Sequence, residues 1–261
     1  MDLGIAGKTA FVTGGSLGIG KATAAELASN GVNVAIVARD ANRLARVAEE
    51  LSSNDGGQVV PIAGDMSKLD EIERCFTEAK DKLGTIDILI NNAGSSPAGR
   101  LQDVADEDWV KSFNLKFMGY VRCARIALPD MRAQKWGRII NVTGMGGEMP
   151  SAGYMLGAYN AGLAHFTNAL AQDAAKDNVI VAAISPGAVD TPRWQTMLQQ
   201  TAKATGKTVD EVSADRSTGF SLGRPAKVSE ISGLAAYLCS EQAAYIAGAQ
   251  ISVNGATTKG V

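Results

Sequence analysis

Three spaced glycines near the N-terminus are the residues whose spacing most directly suggests a chemistry. They lie in Thr13-Gly14-Gly15-Ser16-Leu17-Gly18-Ile19-Gly20, which follows a short apolar run and precedes a helix-like stretch. In such a turn Gly14 permits the tight bend, Gly18 lets main-chain N–H groups approach a pyrophosphate, and Gly20 lets helix and strand pack closely. The positive end of the helix then faces the phosphates. The pattern predicts a dinucleotide site formed by Gly14, Ser16, Leu17, Gly18, Ile19 and Gly20.

The end of the second apolar run favours a phosphorylated form of that dinucleotide. The chain there reads Ile36-Val37-Ala38-Arg39-Asp40. An acidic residue at the strand tip binds the ribose hydroxyls and repels a 2′-phosphate, but position 38 is alanine. Arg39 can place a guanidinium against the phosphate. We therefore expect NADP(H), with NAD(H) as the alternative if Asp40 turns inward.

Seven short apolar runs alternate with longer helix-like segments, which is typical of a parallel sheet covered on both faces. The predicted strands are Lys8–Val12, Val32–Ala38, Val59–Ala63, Ile86–Ile90, Arg138–Val142, Val179–Ile184 and Ala249–Val253. Their centres are apolar at consecutive positions, as in strands buried on both sides. Segments such as Lys21–Asn30, Ala41–Ser53 and Leu69–Leu83 have the apolar spacing of crossover helices. We expect an α/β fold, a single Rossmann-type doubly wound domain over residues 1–261.

The longest stretch without a predicted strand is Asp190–Ala226. Long insertions at the ligand edge of a sheet are often functional, so this segment is predicted to cover the substrate. A packed structural excursion is the alternative. Met149, Trp194 and Met197 suggest an apolar pocket nearby, although they also suit ordinary packing.

Composition argues against several other functions. The net charge is −2 and no basic block stands out, so neither a nucleic-acid nor a membrane partner is expected. One histidine and three widely separated cysteines do not make a metal site. The first residues lack the pattern of a secretory signal, which predicts a cytoplasmic location. A small-molecule substrate is the expected partner.

Further motifs add a family resemblance. They are Asn91-Asn92-Ala93-Gly94, Asn114, Ser185-Pro186-Gly187-Ala188-Val189-Asp190-Thr191, Leu222-Gly223-Arg224-Pro225 and Val253-Asn254-Gly255. Together with the glycine turn, and in this order, they make nearly the whole chain resemble the short-chain dehydrogenase/reductase family. The resemblance implies that Asp65 and Met66 flank the adenine, Asn92 and Gly94 the ribose, and Thr191 the nicotinamide carboxamide. It also places Ala93, Pro186, Gly187 and Val189 in the cofactor site, and it implies a homodimer or homotetramer built on Trp109–Met131 and Ala158–Ala175.

The catalytic residues depart from that family's pattern. Family members use a tyrosine, a lysine four residues later, a serine after the fifth strand and a helix asparagine. The lysine and tyrosine share one helix face, so that the ammonium lowers the pKa of the phenol and holds the nicotinamide ribose. Asn114 matches the asparagine, but Gly144 replaces the serine, with Thr143 as the nearest hydroxyl if it faces the pocket. The same register places Leu156 at the tyrosine position and Asn160 at the lysine position.

Tyr154 is the best surviving candidate for the acid, because it lies just before the helix. If both residues were in regular helix, Tyr154 and Asn160 would be about 120° apart and would not cooperate. Asn160 can bind the ribose, but as a neutral group it cannot lower the pKa of a phenol by charge. Tyr159 is interpreted as a packing residue.

The sequence as a whole favours an NADP(H)-dependent oxidoreductase that interconverts a carbonyl and a secondary alcohol on a small or medium apolar substrate. Because the catalytic set is atypical, we expect a slow or alkaline-shifted enzyme. Its predicted catalytic residues are Tyr154, Asn114, Asn160 and Thr143. Two alternatives stay open: a non-catalytic cofactor-binding paralogue or silent subunit of a hetero-oligomer, and an enone or enoyl reductase.

Overall fold

Seven parallel strands form one sheet in the order β3-β2-β1-β4-β5-β6-β7. The strands are β1 Thr9–Thr13, β2 Asn33–Ala38, β3 Val59–Ala63, β4 Ile88–Asn91, β5 Gly137–Val142, β6 Val179–Pro186 and β7 Gln250–Val253. The computed structural model describes residues 2–52, 56–95, 97, 99–154 and 157–258. Each predicted strand is present, and its ends differ from the prediction by at most two residues.

Helices cover both faces of the sheet. They are α1 Gly18–Ser29, α2 Ala41–Leu51, α3 Leu69–Leu83, α4 Asp106–Ser112, α5 Gly119–Ala133, α6 Ala158–Ala174, α7 Pro192–Thr205, α8 Val209–Ser217 and α9 Val228–Leu238. In β1, Ala10 and Val12 pack in a core with α1, α2 and α9, whereas Phe11 packs in the opposite core with α3, α5 and α6. The predicted doubly wound α/β fold is confirmed. None of the helices in the described part of the chain is long and apolar enough to span a membrane.

Local sequence signals explain where several helices begin. Asp40 caps α2 by accepting a hydrogen bond from Arg43 N at 2.9 Å. Thr208 and Glu211 form a reciprocal capping box at α8. The predicted second helix extends to Ser53, but α2 ends at Leu51, and Ser53 lies outside the described residues.

A π-helix interrupts the helical segment between β4 and β5. It spans Phe113–Met118, directly after α4 and directly before α5. Each π-helical turn takes more residues than an α-helical turn, so side chains after it point in different directions from those of a regular helix. Both Asn114 and Lys116 lie in this segment. Such short π-helical insertions are frequent at functional sites.

The stretch 190–226 is largely helical, since it contains α7 and α8. The two helices share a small core of their own in which Leu198, Ala202 and Val212 are buried. Trp194 packs against Phe220, with ring centroids 5.8 Å apart. The segment 190–226 therefore has a small hydrophobic core of its own. Its predicted role in covering the substrate stays a prediction.

Candidate active site

A pocket of about 670 Å³ lies at the carboxyl ends of the central strands. Segments that follow β1, β4, β5 and β6 all contribute to its walls. β1 and β4 are neighbours in the sheet, while β2 and β3 continue on one side and β5 to β7 on the other. Open α/β sheets bind ligands at this reversal of strand order. The pocket therefore lies where the fold places a ligand.

The glycine turn forms one wall of this pocket. Gly14 and Gly18 have φ angles of +69° and +55°, which side-chain-bearing residues rarely adopt. A Cβ atom at Gly20 would lie only 2.3 Å from Gly14 O, so the helix can approach the strand only with glycine there. The N-cap residue of α1, Leu17, provides no side-chain acceptor for the first helical N–H groups. A helix start with such uncapped N–H groups suits an anion.

Asn92 ties the loop after β4 to the glycine turn. Its Nδ2 donates to Thr13 O at 3.1 Å and to Gly14 O at 3.3 Å. In return, the Thr13 hydroxyl accepts hydrogen bonds from Asn92 N at 2.9 Å and Ala93 N at 3.0 Å. Asn92 thus fixes the shape of the turn from the side. Asn92, Ala93 and Gly94 all line the pocket, and their predicted contact with a ribose stays a prediction.

The tip of β2 presents a cation and not a carboxylate. Arg39 is exposed there, directly after Ala38. The side chain of Asp40 is engaged at the start of α2, where it caps the helix and lies 3.3 Å from Arg43 Nη2. Asp40 therefore does not turn inward to occupy the site of an adenosine ribose.

Asp65 and Met66 follow β3, and their predicted contact with an adenine stays a prediction. Asp65 Oδ1 accepts hydrogen bonds from Ser67 N at 3.0 Å and Ser67 Oγ at 2.8 Å. Burial works to raise the pKa of Asp65, but these bonds and the charge of Arg39 hold that pKa below its usual value. The side chain therefore stays ionised at neutral pH. Met66 is buried, and Ser16 in the glycine turn is buried as well.

The segment after β6 closes the opposite wall. Pro186, Gly187, Val189 and Thr191 line the pocket. The Thr191 side chain caps α7 by accepting a hydrogen bond from Trp194 N at 3.3 Å. A Cβ atom at Gly18 would lie 3.2 Å from Thr191 Cγ2, so this threonine sits directly against the glycine turn. Thr191 is placed where the two walls meet.

Asn160 lies in α6 and lines the pocket with a buried side chain. Its Oδ1 has no hydrogen-bond partner among the described residues. An orphaned buried acceptor at a pocket wall is costly unless a ligand or water satisfies it. A ribose hydroxyl is a donor of the right kind, so Asn160 fits the predicted cofactor.

A buried chain of polar side chains holds α6 against the sheet. Asn91 Nδ2 donates to Asn141 Oδ1 and Asn141 Nδ2 donates to Thr167 Oγ1, both at 2.9 Å. The Thr167 hydroxyl donates to Leu163 O at 2.7 Å, within α6. The chain runs from β4 through β5 into α6 and fixes the helix that carries Asn160. Sequence reasoning did not single out Asn141 or Thr167.

Thr143 and Gly144 follow β5 and line the pocket. Gly144 has a φ of +153°, outside the range that a serine readily adopts. The Thr143 hydroxyl lies 3.0 Å from Ile184 O and 3.3 Å from Gln250 Oε1, so it is directed toward β6 and β7. This geometry does not support the predicted catalytic role of Thr143. The main-chain carbonyl of Thr143 has a different partner, Lys116.

Tyr154 reaches the pocket from the segment before α6. A Cβ atom at Gly146 would lie 2.7 Å from Tyr154 Cε1, so the phenol ring packs over a glycine. Because Tyr154 precedes the helix, the angular argument against its cooperation with Asn160 does not apply. Leu156, at the family's tyrosine position, lies outside the described residues. Tyr159 donates to Trp109 O at 2.9 Å and has the predicted packing environment.

Lys116 is the pocket residue that sequence reasoning missed. Its Nζ donates to Thr143 O at 2.7 Å, and a Cβ atom at Gly94 would lie 3.1 Å from its Cδ. Burial lowers the pKa of Lys116 to about 7, and the charge of Arg193 acts in the same direction. Asn114 lies two residues earlier and does not line the pocket. The only sequence signal was the closeness of a lysine to Asn114, which in a regular helix points to a different face.

The sheet order, the glycine turn and the pocket define a nucleotide-binding α/β protein of the dehydrogenase type. The family model described as short chain dehydrogenase matches residues 8–202. The chain belongs to the short-chain dehydrogenase family.

Relatives match it along nearly their entire lengths. The chain is 31% identical to the 3-oxoacyl-[acyl-carrier-protein] reductase FabG of Aquifex aeolicus, over 98% of this chain and 99% of that protein. It is 30% identical to the NADPH-dependent reductase BacG of Bacillus subtilis, over 97% and 99% respectively. The crystal structure of L-sorbose reductase from Gluconobacter frateurii, complexed with NADPH and L-sorbose, matches with a TM-score of 0.95 and 32% identity, covering 100% of both chains.

Proposed function

We propose that this protein is an NADP(H)-dependent oxidoreductase that interconverts a carbonyl and a secondary alcohol. The observation that carries the proposal is one pocket that joins the glycine turn to proton-bearing side chains, Tyr154 and Lys116. The relatives that match along their full length include reductases, and the names of two of them specify NADPH. Fold, pocket and relatives support the same class of reaction.

The residues of this chain suit such a cofactor at each of its parts. The glycine turn and the start of α1 would hold the pyrophosphate, and Arg39 would hold the 2′-phosphate. The orphaned Asn160 Oδ1 would accept a hydrogen bond from the nicotinamide ribose. Thr191 would position the carboxamide. When bound, the reduced nicotinamide supplies a hydride to the substrate.

The remaining space favours a small or medium carbonyl compound with an apolar part. Met145, Met149, Trp194 and Met197 line the pocket on the substrate side of the glycine turn. The Tyr154 hydroxyl is available to hydrogen-bond the carbonyl oxygen, and Asn114 is proposed to act from the π-helix through a bound water. The predicted homodimer or homotetramer and the predicted cytoplasmic location stay predictions.

Cofactor binding and turnover test the proposal in sequence. NADPH is titrated into the purified protein, and oxidation of NADPH is then followed with a panel of ketones, aldehydes and enones between mildly acidic and alkaline pH. Gly18→Ala should weaken NADPH binding, because the new Cβ meets Thr191 at a strained φ. Gly233→Ala, on α9 with nothing within 4 Å of the new Cβ, is the matched control and should bind normally.

Each alternative gives a distinct result. Saturable binding without turnover on any substrate would contradict the proposed activity, and co-purification with a second dehydrogenase chain would then identify a silent subunit. A product reduced at the C=C bond of an enone would instead identify an enone reductase. Absence of saturable NADPH binding to folded protein would overturn the whole assignment.

A further inference from the structure

We propose that Lys116 is the proton donor of this site, and that it replaces the cation that α6 lacks. The inference rests on the proposed carbonyl reduction and deepens it. It moves the proton donor from Tyr154, which the sequence favours, to a residue of the π-helix. Tyr154 keeps the role of orienting the carbonyl oxygen by a hydrogen bond.

The side chain of Lys116 lies against the segments that follow two neighbouring strands, β4 and β5. Lys116 Nζ donates to Thr143 O at 2.7 Å, next to the Gly144 position where relatives carry a catalytic serine. The aliphatic part of Lys116 crosses Gly94, which follows β4. One turn further along the chain, Tyr120 OH donates to Val142 O at 2.9 Å and anchors the same helical segment to β5. The lysine is thus held by main-chain groups of a rigid sheet.

Two side chains of the family pattern are absent from this part of the pocket. Gly144 has no side chain, and its backbone conformation disfavours one. Asn160 occupies the lysine position of α6 and is neutral, so no second ammonium competes at that wall. The pocket retains an ammonium, but on a different element.

The charge of Arg193, on α7, acts on Lys116 and lowers its pKa, as burial does. Tyr154 also lines the pocket, from the segment before α6. None of the described residues that line the pocket is acidic. With a pKa of about 7, Lys116 is partly protonated at neutral pH and is close to the optimum for a general acid.

The proton balance of the reaction is simple. The carbonyl carbon accepts a hydride from the reduced nicotinamide dinucleotide, which becomes oxidised, and the carbonyl oxygen accepts a proton from Lys116 Nζ. The C=O π bond is replaced by one C–H bond and one O–H bond. Lys116 is left neutral and regains a proton from solvent.

The first test measures the proton affinity of Lys116 without cofactor or substrate. Limited reductive methylation is carried out across a pH series, and the modification of each lysine is quantified by mass spectrometry. Lys111, an exposed lysine one turn earlier, is the internal reference. Lys116 should reach half-maximal reactivity near pH 7, well below the range of an ordinary lysine. A midpoint that coincides with that of Lys111 would overturn the inference.

The second test separates proton donation from packing. Lys116→Gln keeps an N–H donor for Thr143 O but never ionises, and it should lower kcat about a hundredfold or more with NADPH affinity unchanged. Tyr154→Phe should reduce kcat less and leave the pH profile in place. Lys111→Gln should behave as wild type. Near-normal turnover by the Lys116→Gln enzyme, or a larger loss in Tyr154→Phe, would return the donor role to Tyr154.

The two tests distinguish a failure of the proposed function from a failure of the inference about Lys116. If the wild-type protein turns over no substrate while Lys116 titrates near pH 7, the proposed function fails and the assignment of a neutral-range lysine stands. If the wild-type protein is active and Lys116→Gln is equally active, the proposed function stands and the inference is wrong.

Discussion

Arg39 is the residue proposed to decide which dinucleotide the pocket prefers, because it is an exposed cation at the tip of β2. The neighbouring Asp40 carboxylate does not offset the charge of Arg39, because it caps the start of α2. A charge-assisted hydrogen bond to phosphate contributes roughly 1.5–3 kcal/mol, which corresponds to about a tenfold change in affinity or more. The residue is expected to act on the 2′-phosphate alone.

Replacement of Arg39 by leucine should therefore raise the Kd for NADPH about tenfold or more while that for NADH stays nearly constant. Fluorescence titration with both nucleotides measures this. Lys176→Leu removes an exposed cation from the opposite edge of the sheet and should change neither value. Equal weakening of both nucleotides by Arg39→Leu would mean that the guanidinium does not recognise the phosphate.

Lys116 also governs the pH dependence of turnover. A general acid must be protonated to act, and the pKa of Lys116 is lowered to about 7. For the reductive direction, kcat should be level below about pH 7 and fall roughly tenfold per unit well above it. Steady-state rates at saturating substrate measure the profile. A rate that keeps rising up to pH 9 would contradict the assignment, and this was the alkaline shift that the sequence alone suggested.

The position of α6 depends on the buried polar side chains that hydrogen-bond this helix to the sheet. The Thr167 hydroxyl accepts a hydrogen bond from the buried Asn141 Nδ2 and donates one to Leu163 O. Thr167→Val preserves shape but leaves that amide N–H unsatisfied, which costs about 1–3 kcal/mol of the free energy of unfolding. Asn160 on the same helix would lose part of its positioning as well.

Urea unfolding of Thr167→Val checks this expectation against Thr196→Val. Thr196 is exposed on α7, and its hydroxyl donates to Pro192 O within the same helix. That control should shift stability by less than about 0.5 kcal/mol. If the two variants unfold alike, the polar chain does not stabilise α6.

The lowered pKa of the half-buried Lys116 should make the stability of the whole protein depend on pH. In the unfolded chain a lysine has a pKa of about 10.4, whereas Lys116 has a pKa of about 7 in the folded protein. Between those values the unfolded state binds more protons, so the folded state gains stability as pH rises and loses it as pH falls toward 7. The slope is at most about 1.4 kcal/mol per pH unit.

Comparison of the wild-type protein with Lys116→Met isolates this contribution, because the other groups titrate in both. The free energy of unfolding of the wild type, relative to the variant, should increase from pH 7.5 to 9.5, as measured by urea unfolding. Lys111→Met should follow the wild type throughout. Parallel curves for wild type and Lys116→Met would show that the ammonium is not desolvated in the folded protein.

The sequence alone determined the sheet and the cofactor turn. Buried strands and crossover helices follow from the spacing of apolar residues along a few consecutive positions, and glycine is the residue type that permits the positive φ angles at positions 14 and 18. Alanine and arginine at the end of β2 are equally local signals. Each of these features depends on neighbours in the chain, which is why it can be recognised without a structure.

Only the tertiary structure decided which groups face the pocket. The Thr143 hydroxyl points toward Ile184 O. Lys116 Nζ donates to Thr143 O, although the two residues are 27 positions apart in the sequence. The π-helix that redirects Lys116 likewise has no signature in apolar periodicity. These contacts depend on how strands pair and helices pack over long separations, so the residue order cannot specify them by spacing alone.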